Sequence, residues 1–126
     1  MAIRIGSVQL RIMRVLWDEK KATARRITDV LSEKAPLAHS TVQTLIRQLE
    51  SKGLVGHEQE DRTFVFRPLI EESEVSGSAA QDLLSRVFRG SISGLVAHLL
   101  ESENVSDDEM KRLREIVEAK DKGVQE

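Results

Sequence analysis

The sequence predicts a mainly α-helical chain with one small β-hairpin, and three observations predict it. Apolar residues recur at helical spacing through six segments. One pair of short extended runs, Leu54 to Glu58 and Thr63 to Arg67, interrupts them around a polar turn. Charge then changes sign along the chain. Residues 1–67 carry 12 Lys+Arg against 8 Asp+Glu, a net of +4, whereas residues 68–126 carry 7 against 13, a net of −6. The formal −2 of the whole chain averages two unlike surfaces, and only a local surface meets a polyanion.

The first helix is expected from Ser7, its N-cap, to about Lys20-Lys21. Val8, Ile12, Val15 and Leu16 form its apolar stripe, and Leu10, Met13 and Trp17 widen it. A second, shorter helix follows, capped by Thr23, with Ala24, Ile27, Val30 and Leu31 facing the core. Pro36 ends that segment and pushes Ala35 out of helix. The third helix has the cleanest signal. Val42, Leu45, Ile46 and Leu49 fall at i, i+3, i+4 and i+7, and Gly53 terminates the run. In the hairpin, Phe64 and Phe66 alternate with Thr63, Val65 and Arg67, as in a strand with one covered face, and Glu60-Asp61-Arg62 makes the turn.

Three short helices and a hairpin in this order describe a winged helix-turn-helix. The third helix buries one stripe on the first two, so its other face is free to enter a major groove. That face carries Ser40, Gln43, Thr44 and Arg47, with no carboxylate before Glu50. Gln reads base edges bidentately, Arg reads guanine, and Ser and Thr bond phosphate or base. A merely solvated face is the competing reading, although such faces usually mix Glu with Lys. Ser40-Thr41-Val42-Gln43 also matches a capping box, which makes Ser40 a cap and ties up Gln43. A helix that starts at Ala38 or His39 leaves both side chains free. Arg62 at the hairpin tip reaches a phosphate or the minor groove, or else pairs with Glu60 or Asp61. Arg25 and Arg26 open the second helix, where N–H groups and cations jointly hold a phosphate, unless one of the two is simply solvated.

After Pro68, taken as the domain boundary, the pattern is wholly helical. The expected domains are 1–68, a DNA-binding winged helix-turn-helix, and 69–126, a three-helix dimerisation region. Leu83, Leu84, Val87 and Phe88 form one stripe, closed by Gly90 and loosened by Ser76-Gly77-Ser78. Ile92, Leu95, Val96, Leu99 and Leu100 form a second, capped by Ser91. Met110, Leu113, Ile116 and Val117 form a third, opened by the capping box Ser106-Asp107-Asp108-Glu109. So few residues in three short helices cannot bury that much apolar surface among themselves. Two covers compete: a second copy of the chain, or the winged helix of the same chain. The expected dimer residues are Leu84, Phe88, Leu95, Val96, Leu99, Leu113, Ile116 and Val117. A two-fold dimer sets two reading helices about 34–36 Å apart, one turn of DNA.

Composition removes other classes. With 40% apolar and 32% charged residues the chain reads as globular, and no run approaches the roughly 18 apolar residues of a membrane span or forms a signal-peptide core. The absence of cysteine excludes disulfides, thiolate metal sites and thiol catalysis, and fits a cytoplasmic protein. His39, His57 and His98 show no metal-ligand spacing, and there is no nucleophile elbow or glycine-rich phosphate loop. Neither an enzyme nor a cofactor or metal is expected. The contrasting class is a winged helix that docks a protein rather than DNA.

The run Leu10-Arg11-Ile12-Met13-Arg14-Val15-Leu16-Trp17, the stretch Ala38-His39-Ser40-Thr41-Val42-Gln43-Thr44-Leu45 leading through Gln48-Leu49-Glu50-Ser51-Lys52-Gly53-Leu54-Val55, and Arg62 followed by Phe66 and Pro68 resemble the penicillinase-repressor family, the BlaI/MecI/CopY group. The likeness continues from Leu84 to Ser91 and on to the Ser106 capping box. It implies a dimeric bacterial transcriptional repressor that binds inverted-repeat operators in double-stranded DNA. By motif position, Ser40, Thr41, Gln43, Thr44 and Arg47 fall in the recognition helix, His39 at its start, and Arg62 in the wing. One branch of the family is released when a sensor-protease partner leads to cleavage at an Asn-Phe bond, where this sequence has His98-Leu99. Another binds copper through a C-terminal cysteine cluster, which this sequence lacks.

Overall fold

The computed structural model describes residues 3–123. In chain order the elements are α1 (Ser7–Glu19), β1 (Ala22–Thr23), α2 (Ala24–Ser32), α3 (His39–Ser51), β2 (Val55–Glu60), β3 (Thr63–Pro68), α4 (Glu72–Arg86), α5 (Ile92–Ser102) and α6 (Asp107–Asp121). The three strands form one antiparallel sheet in the order β1-β3-β2.

Helix ends follow local chemistry, with one shift from expectation. The N-cap of α1 is Gly6, not Ser7. The buried Gln9 side chain reaches back, and its Oε1 accepts the Gly6 N–H at 2.9 Å, which satisfies a donor the helix cannot. Thr23 caps α2 as expected, its Oγ1 accepting from Arg26 N at 3.0 Å. Helix α3 ends in a Schellman motif. Gly53, at φ +80°, donates to Glu50 O at 3.0 Å, and Leu54 donates to Leu49 O at 3.0 Å. Leu54 and Leu49 are both buried, which supplies the apolar contact that fixes the turn into the wing.

The core of the first unit is built from the predicted stripes. Ile12, Leu16, Ile27, Val42 and Leu49 are fully buried, with Ile46 and Val55 beside them. Within β3 the covered position is Val65. Phe66 is half-buried against the core, and Phe64 is 52% exposed. The alternation therefore does not cover both phenylalanines. Pairing with the two-residue β1 reaches only Phe66 and Val65, so Phe64 extends past the body of the sheet into the wing. Strand β1 itself is too short to leave a periodic trace in the sequence.

The chain divides into two compact units after Asp82, rather than after Pro68. The cause lies in bonds that carry the chain past the hairpin while it is still fastened to the first unit. Leu69 N donates to Leu54 O at 2.9 Å, Trp17 Nε1 donates to Ile70 O at 2.9 Å, and Ile3 N donates to Ser78 Oγ at 3.2 Å. Helix α4 runs through Ser76-Gly77-Ser78 without a break, so the loosening expected there is absent.

The second unit begins at Leu83 and holds the end of α4, α5 and α6. Ser91 and Ser106 cap their helices as expected, accepting from Gly94 N at 2.9 Å and from Glu109 N at 3.1 Å. Among the described residues, α4, α5 and α6 contain no buried side chain. Leu84, Phe88, Leu95 and Leu113 are half-buried. Val96, Leu99, Ile116 and Val117 are exposed, Ile116 and Val117 at 66% each.

Candidate nucleic-acid interface

Helix α3 is presented by the two elements packed behind it. Val42, Ile46 and Leu49 pin its inner stripe, so Ser40, Thr41, Gln43, Thr44 and Arg47 stand exposed on the outer face. The N-cap is Ala38, which has no capping side chain, and His39 is the first helical residue. Of the two starts the sequence left open, the structure takes the one in which Ser40 is not the cap and Gln43 is not recruited to a capping box. The Thr44 hydroxyl donates to Ser40 O at 3.0 Å, which leaves its lone pairs outward as acceptors.

His39 is anchored from behind. Its Nδ1 lies 2.9 Å from Oγ1 of Thr28, a buried residue of α2 whose hydroxyl also lies 2.8 Å from Ala24 O. This bond joins the start of α3 to α2. The turn between them is fastened by Ser32, whose Oγ accepts from Leu37 N at 3.3 Å.

The wing has a strained tip. Asp61 and Arg62 make a two-residue connection between the paired residues Glu60 and Thr63, and both central residues have positive φ, +50° and +70°. That is the twist a tight hairpin wants, set here with two side-chain-bearing residues where glycine or asparagine is usual. Glu60 is held by Lys21, with Nζ to Oε2 at 3.0 Å, so it is not the partner of Arg62.

Arg25 and Arg26 separate. Arg26 makes a fork to Glu19 at the end of α1, with Nε 3.1 and 3.2 Å and Nη2 2.8 Å from the carboxylate oxygens. The hydrogen bonds from Arg26, helped by its charge, hold the Glu19 carboxyl below its ordinary range, and Glu19 in turn raises Arg26. Arg25 instead lines a cleft of about 570 Å³ bounded by the start of α2, the outer face of α3 and the wing. From α3 the cleft takes His39, Gln43, Ile46, Arg47 and Glu50; from the wing it takes His57, Arg62, Thr63, Phe64 and Phe66. Among the described residues, Arg25, Arg47 and Arg62 form no ion pair. Three uncommitted guanidiniums around one concave surface are what a polyanion requires.

Two participants were not legible as such in the sequence. Glu50 Oε2 is hydrogen-bonded to His57 Nδ1, and the His57 ring lies 4.7 Å from Phe64 and 5.7 Å from Phe66, centre to centre. The carboxylate on the outer side of α3 is thereby turned to a wing histidine. The hairpin register, with His57 opposite Phe66, is the one signal from which this cluster could have been anticipated. Among the described residues no three His, Asp or Glu side chains form a metal-binding group.

The penicillinase repressor family profile matches residues 5–119, nearly the whole chain. The chain belongs to the penicillinase repressor family. Its relatives include the methicillin resistance regulatory protein MecI of Staphylococcus aureus strain N315, 28% identical over 116 residues, covering 92% of this chain and 94% of MecI. The penicillinase repressor of Bacillus licheniformis is 29% identical over 115 residues, 91% of this chain and 90% of that protein. Among solved structures, the DNA-binding domain of the repressor BlaI superposes with a TM-score of 0.52 at 30% identity, over 59% of this chain and 93% of that domain. As a penicillinase-repressor family member the chain is a transcriptional repressor rather than an enzyme, and its first unit has the winged helix-turn-helix fold.

Proposed function

We propose that this repressor family member occupies an inverted-repeat operator in double-stranded DNA as a homodimer. In this reading α3 lies in the major groove, the wing rests on the backbone, and the second unit joins two copies. The observation that carries the DNA-reading role is the exposed face of Ser40, Thr41, Gln43, Thr44 and Arg47 beside a cleft that holds Arg25, Arg47 and Arg62 free of ion pairs. Base-edge readers sit on the helix, and phosphate-binding cations stand at its flanks. Arg26, spent on Glu19, is assigned to holding α1 against α2 rather than to DNA.

The unburied α5 and α6 support the dimer. Leu99, Ile116 and Val117 are exposed at 47%, 66% and 66%, a loss of apolar burial that a second copy would recover. No helix among the described residues is long and apolar enough to cross a membrane, and we assign the protein to the cytoplasm, where its DNA target lies. Release by the sensor-protease route is disfavoured, because the His98-Leu99 bond departs from the family dipeptide and lies inside α5, which must open to be cut.

Selection of bound duplexes from a random library, followed by footprinting, tests the reading. The expected product is an inverted repeat protected across both halves, with affinity that falls steeply as salt rises. Enrichment of no sequence, with affinity indifferent to salt, would favour a winged helix that docks a protein.

A further inference from the structure

We propose that His39 is a specificity-determining residue whose Nε2, held as a hydrogen-bond acceptor, selects an amino base (adenine or cytosine) over a keto base (guanine or thymine) in the major groove. The proposal rests on the DNA-reading role of α3 given above and names what one of its residues reads.

Proton accounting fixes the acceptor. A hydroxyl has one proton, and a carbonyl oxygen can only accept. The Thr28 proton therefore goes to Ala24 O, 2.8 Å away, and Oγ1 keeps only lone pairs for the contact with His39 at 2.9 Å. That contact is attractive only when the proton of the neutral ring sits on Nδ1, which leaves Nε2 bare. Thr28 is buried, so no solvent molecule replaces this anchor. With Nδ1 turned back to α2, Nε2 is the ring nitrogen left for a ligand, and His39 lines the cleft on the DNA-facing side.

Position and chemistry then agree. His39 is the first residue of α3, and the N-terminal residues of a recognition helix are those that reach base edges. In the major groove adenine and cytosine present amino donors, whereas guanine presents two acceptors and thymine an acceptor oxygen beside its methyl group, neither with a donor. A lone pair on Nε2 bonds the first class and repels the second. Of the other side chains on the cleft rim, Arg25, Arg47 and Arg62 carry only donors, and the Glu50 carboxylate is engaged by His57. His39 adds an acceptor at the start of α3, beside the Gln43 amide oxygen one turn on, and reads what no arginine can.

The test is selection from random duplexes at pH 8 with the full-length chain, its His39→Ala variant and its Thr28→Val variant. The wild type is expected to favour A or C by about 2- to 10-fold at one position in each half-site, the range of a single net hydrogen bond. His39→Ala flattens that position and leaves the others intact. Thr28→Val keeps the histidine but removes the oxygen that holds Nδ1–H, and flattens the same position. Thermal melting of each variant confirms folding, and His39→Ala, a change at a helix start on the surface, carries the test alone should Thr28→Val melt early. Identical preferences in wild type and His39→Ala, or a His39-dependent position that favours G or T, would overturn the assignment. A wild type that enriches no sequence at all would instead overturn the DNA-reading role beneath it.

Discussion

Glu50 on α3 and His57 on the first wing strand are hydrogen-bonded to each other, with the Phe64 ring 4.7 Å from the imidazole. The pair ties the wing to α3 at the wall of the cleft and occupies the Glu50 carboxylate. A double-mutant cycle on operator affinity with Glu50→Gln and His57→Ala is expected to show coupling of about 0.5–1.5 kcal/mol. Strictly additive effects would mean that helix and wing act separately.

Arg62 combines a functional atom group with an unfavourable backbone. At φ +70° a residue with a Cβ costs roughly 1–2 kcal/mol. Arg62→Gly is expected to raise the melting temperature while lowering the slope of log affinity against log salt by about one unit. Arg62→Ala lowers the slope equally without the gain in stability. In both, the preferred sequence stays the same; a changed preference would place Arg62 on a base edge.

Gln43 and Arg47 stand on the exposed face of α3. Replacing either with alanine is expected to cost about 1–3 kcal/mol of operator binding and to relax discrimination at one base pair per half-site. Binding measured across a set of single-base operator variants checks this. Unaltered discrimination in both variants would remove them from the reading set.

Leu99 and Ile116 lie exposed on α5 and α6, so charging them leaves the fold of a single chain intact. Leu99→Glu with Ile116→Glu is expected to convert dimer to monomer by light scattering. It should weaken binding to a full inverted repeat far more than to one half-site. A double variant that remains dimeric would move the interface elsewhere.

Glu19 titrates below its ordinary range because Arg26 grips its charged form. A carboxylate whose folded pKa is depressed stabilises the fold above its unfolded pKa, and that contribution is lost as pH falls through the folded value. Glu19→Gln should therefore flatten the acid limb of the stability profile and leave operator binding unchanged. A drop in DNA affinity at neutral pH would show that the clasp also sets the position of α2.

Much of this molecule was legible in the amino-acid order, for reasons that differ by residue. The stripe Val42, Leu45, Ile46, Leu49 was clear because helix period and burial coincide there. Thr23, Ser91 and Ser106 were readable because a short hydroxyl before an apolar run has one common use. The start of α3 was not, because Ser40 suits two geometries and a tertiary contact, His39 to Thr28, accompanies the one adopted. The pairing of Arg26 with Glu19, and of Glu50 with His57, joins residues on different elements, which no local pattern encodes. The extent of the first compact unit has a similar cause: Pro68 marks the change of charge sign, while the bonds of Trp17 and Ile3 hold the chain beyond it.

The bond from Trp17 to Ile70 has an optical consequence. Trp17 is the sole tryptophan of the chain, and its indole N–H is spent on the backbone that leaves the wing. Intrinsic emission therefore comes from one place inside the first unit, the seam between α1 and the strap after β3. Circular dichroism sees every helix. Followed together during thermal unfolding, the two signals distinguish loss of the first unit from loss of helix elsewhere, without a label and without a change to the sequence.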